Sequence, residues 1–192
     1  MGYHHGDLRT ALIAAGIELI AEKGFAGLSV AEAARRTGVS AAAPYRHFAN
    51  RDEFLLAIAT EAGVKMGDQL VDAIADAEEP LDQVAAVAEV YVRFVIAHKV
   101  GFDLVFAPEL RDCDDGALRA AGRRLIDLMM GPCLELSPDI VRALELNEEL
   151  WTTAHGYGTL AVAGFYRPDA DAVLASARRT ARRLGQAAGS VR

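Results

Sequence analysis

The sequence predicts an all-α protein, and three observations carry that reading. Alanine is abundant and clusters of β-branched residues are few, which favours helix over strand. Apolar residues recur every three or four positions over long stretches, and turn signals between those stretches stand far apart. There is no internal repeat and no low-complexity segment. The pattern predicts about nine helices, three of them in an N-terminal helix-turn-helix domain over residues 6–52 and the others in a helical body over 53–192.

In the first helix Leu8, Leu12, Ala15 and Leu19 share one face, with Ile13, Ile17 and Ile20 beside them. Gly24 follows as a left-handed stop just past the last turn. Ser29-Val-Ala-Glu32 reads as a capping box, in which hydroxyl and carboxylate satisfy each other's orphan backbone N–H groups. Asn50-Arg-Asp-Glu53 repeats that logic with Asn as the cap. Between them Thr37-Gly38-Val39 is a tight turn, and Ser40 caps a short helix running to about His47. A helix over 29–36, a glycine turn and a helix over 40–47 have the spacing of a helix-turn-helix, with its motif at 29–48.

After Asn50 a long helix runs to about Asp76, with Leu55, Ala59, Ala62, Met66, Leu70 and Ile74 along one face. Pro80 sits at the first position of the next helix, which carries Leu81, Val84, Val87, Tyr91, Phe94, Val95 and His98. Gly101 to Phe106 is a short apolar helix stopped by Pro108, and Asp112-Cys113-Asp114-Asp115-Gly116 is a loop. Periodicity resumes through Leu118, Leu125, Leu128 and Met129 until Gly131-Pro132. Ser137-Pro138 then opens a helix to about Phe165. Arg167-Pro168-Asp169 leads into a final helix that ends near Gly185.

Hydrophobic residues make up 52% of the 192 residues and charged ones 24%, which excludes a disordered or fibrous chain. No apolar run reaches the ~18–20 residues of a membrane span. The opening MGYHHGDLR lacks the basic tip, apolar core and cleavage site of a signal peptide, so a cytoplasmic location is expected. Cys113 and Cys133 form no C-x-x-C pair, and no His or acidic cluster stands at metal-ligand spacing. Two free thiols, no metal and no cofactor are therefore expected. A net charge of −7 argues by itself against a nucleic-acid partner, but its distribution does not. Residues 1–51 carry six basic and four acidic side chains, whereas 52–192 carry 14 and 23.

The stretch from Gly27 to Leu55, GLSVAEAARRTGVSAAAPYRHFANRDEFL, holds the most specific pattern. Its Gly-Leu-Ser entry, Ala33-Ala34, Gly38-Val39-Ser40 and Tyr45-x-His47-Phe48 followed by Asn50-Arg51 closely resemble the N-terminal domain of the tetracycline-repressor (TetR) family. HGDLR and Phe25 also look like that family's first helix, and the strong resemblance covers the first 55–60 residues. It implies binding to double-stranded DNA, phosphate contacts from Tyr45, His47 and Arg51, and core packing by Val39 and Phe48. Ser29 is placed for the phosphates to meet the amides at its helix start. Arg51, at the positive end of the long helix, calls for a compensating anion, and DNA phosphate would serve. Ala41, Ala42 and Ala43 stand where the family often has polar readers of base edges. Methyl groups can touch thymine methyls but make no bidentate bonds, so sequence reading is expected to lean on Arg46, those thymine contacts and DNA shape, with Ser40 also among the expected DNA contacts.

A half-site read by so few polar groups binds weakly, which makes a homodimer through the last two helices, about 138–165 and 169–185, physically expected. The resemblance implies the same interface. Gly156, Gly158 and Gly164 inside the first of these require close packing or a break. The cluster Arg178, Arg179, Arg182 and Arg183 reads as a solvated or ion-paired face. Trp151-Thr-Thr-Ala-His155-Gly156 looks like the Trp-His-Gly motif of one C-terminal subgroup of the family. An effector cavity is expected among Phe94, His98, Phe102, Phe106, Leu125, Met129, Trp151, His155 and Tyr157, although such residues also build plain cores. A mostly apolar small molecule would fit that lining. Competing functions are a helical carrier or enzyme and a DNA-binding activator without ligand response. The two His have no evident nucleophile, carboxylate pair or metal partner, so no catalytic residue is assigned.

Overall fold

The computed structural model describes residues 5–110, 115–166 and 169–190, and within them it is helical with no strand. Nine α-helical segments occur among the described residues: α1 (His5–Lys23), α2 (Val30–Arg36), α3 (Arg51–Ala75), α4 (Pro80–His98), α5 (Phe102–Val105), α6 (Gly116–Leu128), α7 (Met130–Leu136), α8 (Ile140–Val162) and α9 (Ala170–Ala188). None is long and apolar enough to cross a membrane. Cys113, the acidic run 112–114 and residues 167–168 lie outside the described residues.

Local chemistry explains most of the boundaries. Asn50 caps α3 by accepting from the Glu53 backbone N–H at 2.9 Å. Pro80 opens α4 at its first position, where an N–H has no helical partner to lose. Asp115 caps α6 through the Leu118 N–H, so Gly116 is the first helical residue and not part of the loop expected there. Four further boundaries differ from the sequence reading. Gly131-Pro132 does not stop the chain, because Pro132 falls in the first turn of α7, where a missing N–H costs little. The cap of α8 is Asp139, whose carboxylate accepts from Arg142 N at 2.9 Å, while the Ser137 hydroxyl is buried without a partner among the described residues. α8 ends at Val162, followed by Gly164 at φ 75°, rather than at about Phe165. Gly185 does not end α9 either. It lies inside the helix because a Cβ there would come within 2.8 Å of Leu81.

One apolar core runs through the whole molecule. It joins Leu12 and Leu19 of α1, Phe54, Leu55 and Ile58 of α3, Val84 and Tyr91 of α4, Leu146 of α8 and Ala177 of α9. Each fully buried Leu, Ile or Phe contributes about 1.5–3 kcal/mol. α3 packs on α1 near its start and on α4 and α6 further along, so it belongs to both the N-terminal unit and the body. α4 is the centre of the body and meets α3, α7, α8 and α9. The arginines of α9 close onto it through Arg178–Glu89 at 3.0 Å and an Arg182–Asp82 pair, which is the ion-paired face expected.

α8 passes through its glycines without a break. A Cβ on Gly158 would lie 2.9 Å from the Val95 Cβ, an atom fixed to the α4 backbone, whereas one on Gly156 would meet nothing within 4 Å. Gly158→Ala is therefore expected to destabilise the fold by about 1–3 kcal/mol through overpacking. Gly156→Ala should instead stabilise it by up to about 1 kcal/mol through helix propensity. Urea denaturation of the two variants checks both signs.

Candidate nucleic-acid interface

The N-terminal unit is built from a capped helix, a glycine turn and a short exposed segment. Ser29 caps α2 by accepting from Glu32 N at 3.3 Å. The reciprocal half of the expected box is missing, because the Glu32 carboxylate accepts two bonds from Arg35 at 2.8 Å and lies 3.5 Å from Arg36. Charged donors outcompete a neutral backbone N–H. Glu53 likewise reaches one residue further than expected, to Ala49 N at 2.8 Å. At the other end of α2, Gly38 N bonds Arg35 O at 3.2 Å and Val39 N bonds Ala34 O at 3.0 Å, with Gly38 at φ 71°. That pair of bonds is a Schellman stop, and it turns the chain into the next segment.

The expected helix over 40–47 is not an α-helix. Ala43 N bonds Ser40 O, Arg46 N bonds Ala43 O and His47 N bonds Pro44 O, each three residues back, and only Pro44–Arg46 is a regular 3-10 turn. Pro44 has no N–H to give Ser40, which removes the first α-helical bond. Its ring is buried, as is Phe48, whose ring lies 4.9 Å from that of Phe54. These two anchors leave Ser40, Ala41, Ala42, Tyr45 and Arg46 exposed, with Ala43, Val39 and His47 half-buried. Tyr45 is 56% exposed.

Charge at this end is selectively neutralised. Arg36 ties α2 to α1 through Glu22 at 2.6 Å and Glu18 at 3.7 Å, and Arg35 is held by Glu32. Arg51 is also occupied. Its guanidinium donates to the carbonyls of Leu28, at 3.1 Å, and Phe25, and lies 3.8 Å from Asp52. Arg51 thus straps the start of α3 to the entry of α2. Arg46 has no such partner among the described residues. Sequence reasoning missed Arg9, which lies over the Phe48 ring at 5.6 Å and lines a cavity of about 420 Å³ with His47, Glu53, Thr60 and Asp115. Residues 9 and 115 meet only through tertiary folding, so no local signal marks them.

In the body the expected effector cavity is mostly filled. Leu125 and Met129 are fully buried, Phe94 packs on His98 with ring centroids 4.5 Å apart, and Tyr157 bonds Thr180 of α9 at 3.0 Å. His98 lies where burial, and then the charge of Lys65, holds its pKa below the usual value. His155 accepts or donates at 2.8 Å to the buried Tyr91 hydroxyl, which also accepts from Phe102 N at 3.1 Å. Burial raises the Tyr91 pKa, and it pushes that of the Cys133 thiol up to about 12. Three of the nine predicted residues do reach open space. Phe102, Phe106 and Trp151 line a cavity of about 430 Å³ between α5, α6 and α8. Helical periodicity identified apolar faces, but not which partner each face meets.

Comparison with known proteins bears on both units. Residues 12–58 match the family of bacterial regulatory proteins designated tetR, and residues 84–184 match the tetracyclin repressor-like C-terminal domain. The second match alone spans more than half of the chain. The chain belongs to the TetR family. This TetR-family protein is a helix-turn-helix, DNA-binding transcriptional regulator, as expected from its motif. It is 42% identical over 59 residues to an uncharacterized HTH-type transcriptional regulator of Haemophilus influenzae, a stretch that covers 30% of this chain and 29% of that protein. The match therefore spans less than a third of that relative's length. A solved structure from Rhodococcus sp. RHA1, of a protein with unknown function, is 30% identical with a TM-score of 0.78, covering 95% of this chain and 97% of the other. The regulator FadR of Bacillus subtilis, solved with stearoyl-CoA, shares the fold at 17% identity and a TM-score of 0.72, with 90% of this chain and 96% of FadR covered.

The ion pairs that hold α2 in this TetR-family regulator have a pH signature. The hydrogen bonds from Arg35, and then its charge, lower the Glu32 carboxyl from 4.5 to about 2. A carboxylate whose folded pKa is depressed stabilises above its ordinary value and loses that contribution as pH falls toward the folded one. The difference in urea midpoint between the wild type and Glu32→Gln should thus be constant above pH 4.5 and shrink steadily below it.

Proposed function

We propose that this regulator is a dimeric repressor, released from a palindromic operator by a small, mostly apolar effector. The observation that carries the DNA reading is the largely exposed tip from Ser40 to Arg46, held by buried Pro44 and Phe48 and tipped by an arginine without a partner among the described residues. Tyr45 and His47 supply phosphate contacts. Arg46 reads base edges, and the methyl groups of Ala41, Ala42 and Ala43 lie against thymine methyls. Ser29 and Arg51 position this tip through the backbone bonds they make.

Dimerisation is supported by the outer face of α8. Val141 and Leu160 are 62% and 41% exposed, two apolar side chains at opposite ends of that face. A second copy on α8 and α9 would cover it and set two tips ~34–36 Å apart, one helical turn of DNA. The effector reading is supported by the cavities beside α6 and by FadR of Bacillus subtilis, which shares the fold and was solved with stearoyl-CoA. α6 reaches from those cavities to the space lined by Arg9, His47 and Thr60, so movement of α6 would alter the packing beneath the tip.

Fluorescence anisotropy with duplexes from the protein's own upstream region tests the reading. Binding should weaken steeply with salt. Arg46→Ala should cost about 1–3 kcal/mol and relax preference at one or two base pairs. Tyr45→Phe should weaken every duplex alike, by about 1 kcal/mol. Equal losses on all duplexes for Arg46→Ala would contradict its assigned role. Leu160→Asp should give monomers by sedimentation and abolish tight operator binding. A dimer that survives it places the interface elsewhere.

A further inference from the structure

We propose that two adjoining cavities along α6 form one two-lobed site for an apolar chain ending in an anionic group, a carboxylate or a phosphate. This deepens the effector reading above and rests on it. The first lobe, about 500 Å³, is walled by Val105, Leu110, Leu118 and Gly122 and rimmed by Arg119 and Arg123. The second, about 430 Å³, is walled by Phe102, Met130, Leu144 and Trp151. Phe106 and Ile126 line both lobes, so the lobes adjoin at these two side chains. Phe106 is 49% exposed and rests on Gly122, where a Cβ would come within 3.1 Å of its ring. With no polar atom to hold it, rotation of that ring joins the lobes.

Three features set the chemistry and the direction of the occupant. Trp151 walls the second lobe, and its buried Nε1 has no hydrogen-bond partner among the described residues. Because that nitrogen is buried, the indole presents apolar surface to the lobe, which suits a hydrocarbon tail. Arg123 at the rim of the first lobe has no ion-pair partner among the described residues, whereas Arg93, Arg124, Arg142 and Arg178 of the body all pair with carboxylates. An unpaired guanidinium at the mouth of an apolar cavity suits a carboxylate or phosphate. Glu148 lies in the second lobe and repels an anion there, so the head is placed at Arg123 and the tail toward Trp151.

Trp151 is the chain's one tryptophan, and its emission reports occupancy directly. The full-length protein is titrated, below micellar concentrations, with dodecanoate, dodecyl phosphate and 1-dodecanol, which share a tail and differ in the head. At least one anion should shift the emission saturably with at least tenfold higher affinity than the alcohol, and the tighter of the two identifies the head group. Arg123→Gln should reduce that preference below threefold and leave the alcohol's affinity unchanged. Ile126→Trp, which fills the divide, should abolish binding of all three, read by calorimetry because it adds a second fluorophore. Equal binding of alcohol and anions, an unchanged preference in Arg123→Gln, or no binding because a second copy covers the groove would each overturn the proposal. Operator anisotropy in parallel separates the two readings. Amphiphile binding without release of DNA leaves the site standing and sinks the effector reading. Release by a compound that binds Arg123→Gln equally well does the reverse.

Discussion

The structure depends on one continuous helix that two units share. α3 begins at a cap, Asn50, and a strap, Arg51, that ties it to the entry of α2. Phe54, Leu55 and Ile58 then pack under α1, and Ala62, Met66 and Leu70 continue the same buried stripe into the body. Gly16 of α1 makes the first of these contacts possible, since a Cβ there would come within 2.3 Å of Ile58. A helix without a break can carry a tilt applied beside α4 and α6 to its start at Asn50. Regulation at a distance needs such an element with two arrangements, and α3 with α6 against it is the physical candidate.

The exposed tip from Ser40 to Arg46 is held by apolar anchors rather than by helix propensity. Pro44 removes the bond that would start an α-helix, and the segment survives mostly as three-residue turns because Pro44 is buried and Phe48 packs against Phe54. The arginines of α2 are committed to Glu22 and Glu32, which fastens α2 to α1 and withdraws their charge from DNA. The positive charge left to act is small and local. It accords with a chain whose net charge is −7 and whose N-terminal quarter alone is basic.

Features with a local cause were legible in the sequence. The caps at Ser29 and Asn50, the glycine turn at Gly38 and the start of α4 at Pro80 each need only a few adjacent residues to specify them. Errors arose where two local signals competed. Ser137-Pro138 and Asp139 both offer a start for α8, and the carboxylate, the stronger acceptor, is the one used. Gly131-Pro132 and Gly185 were read as stops because glycine and proline usually punctuate, but tertiary contacts or a place in the first turn made them compatible with helix. The effector cavity was the least legible part. Phe94 and His98 pack on each other and Tyr157 turns to α9, whereas Phe102, Phe106 and Trp151 remain around open space. Which side of an apolar helix is left unfilled is decided by the helices opposite, not by its own periodicity.

Native-state hydrogen exchange of the full chain tests the shared core most directly. If α3 joins both units into one cooperative body, the slowest amides of α1, around Leu12 to Leu19, should exchange with the same protection as those of α4 around Tyr91. Exchange of the α1 amides through a separate opening of much lower free energy, with α4 still protected, would contradict the account.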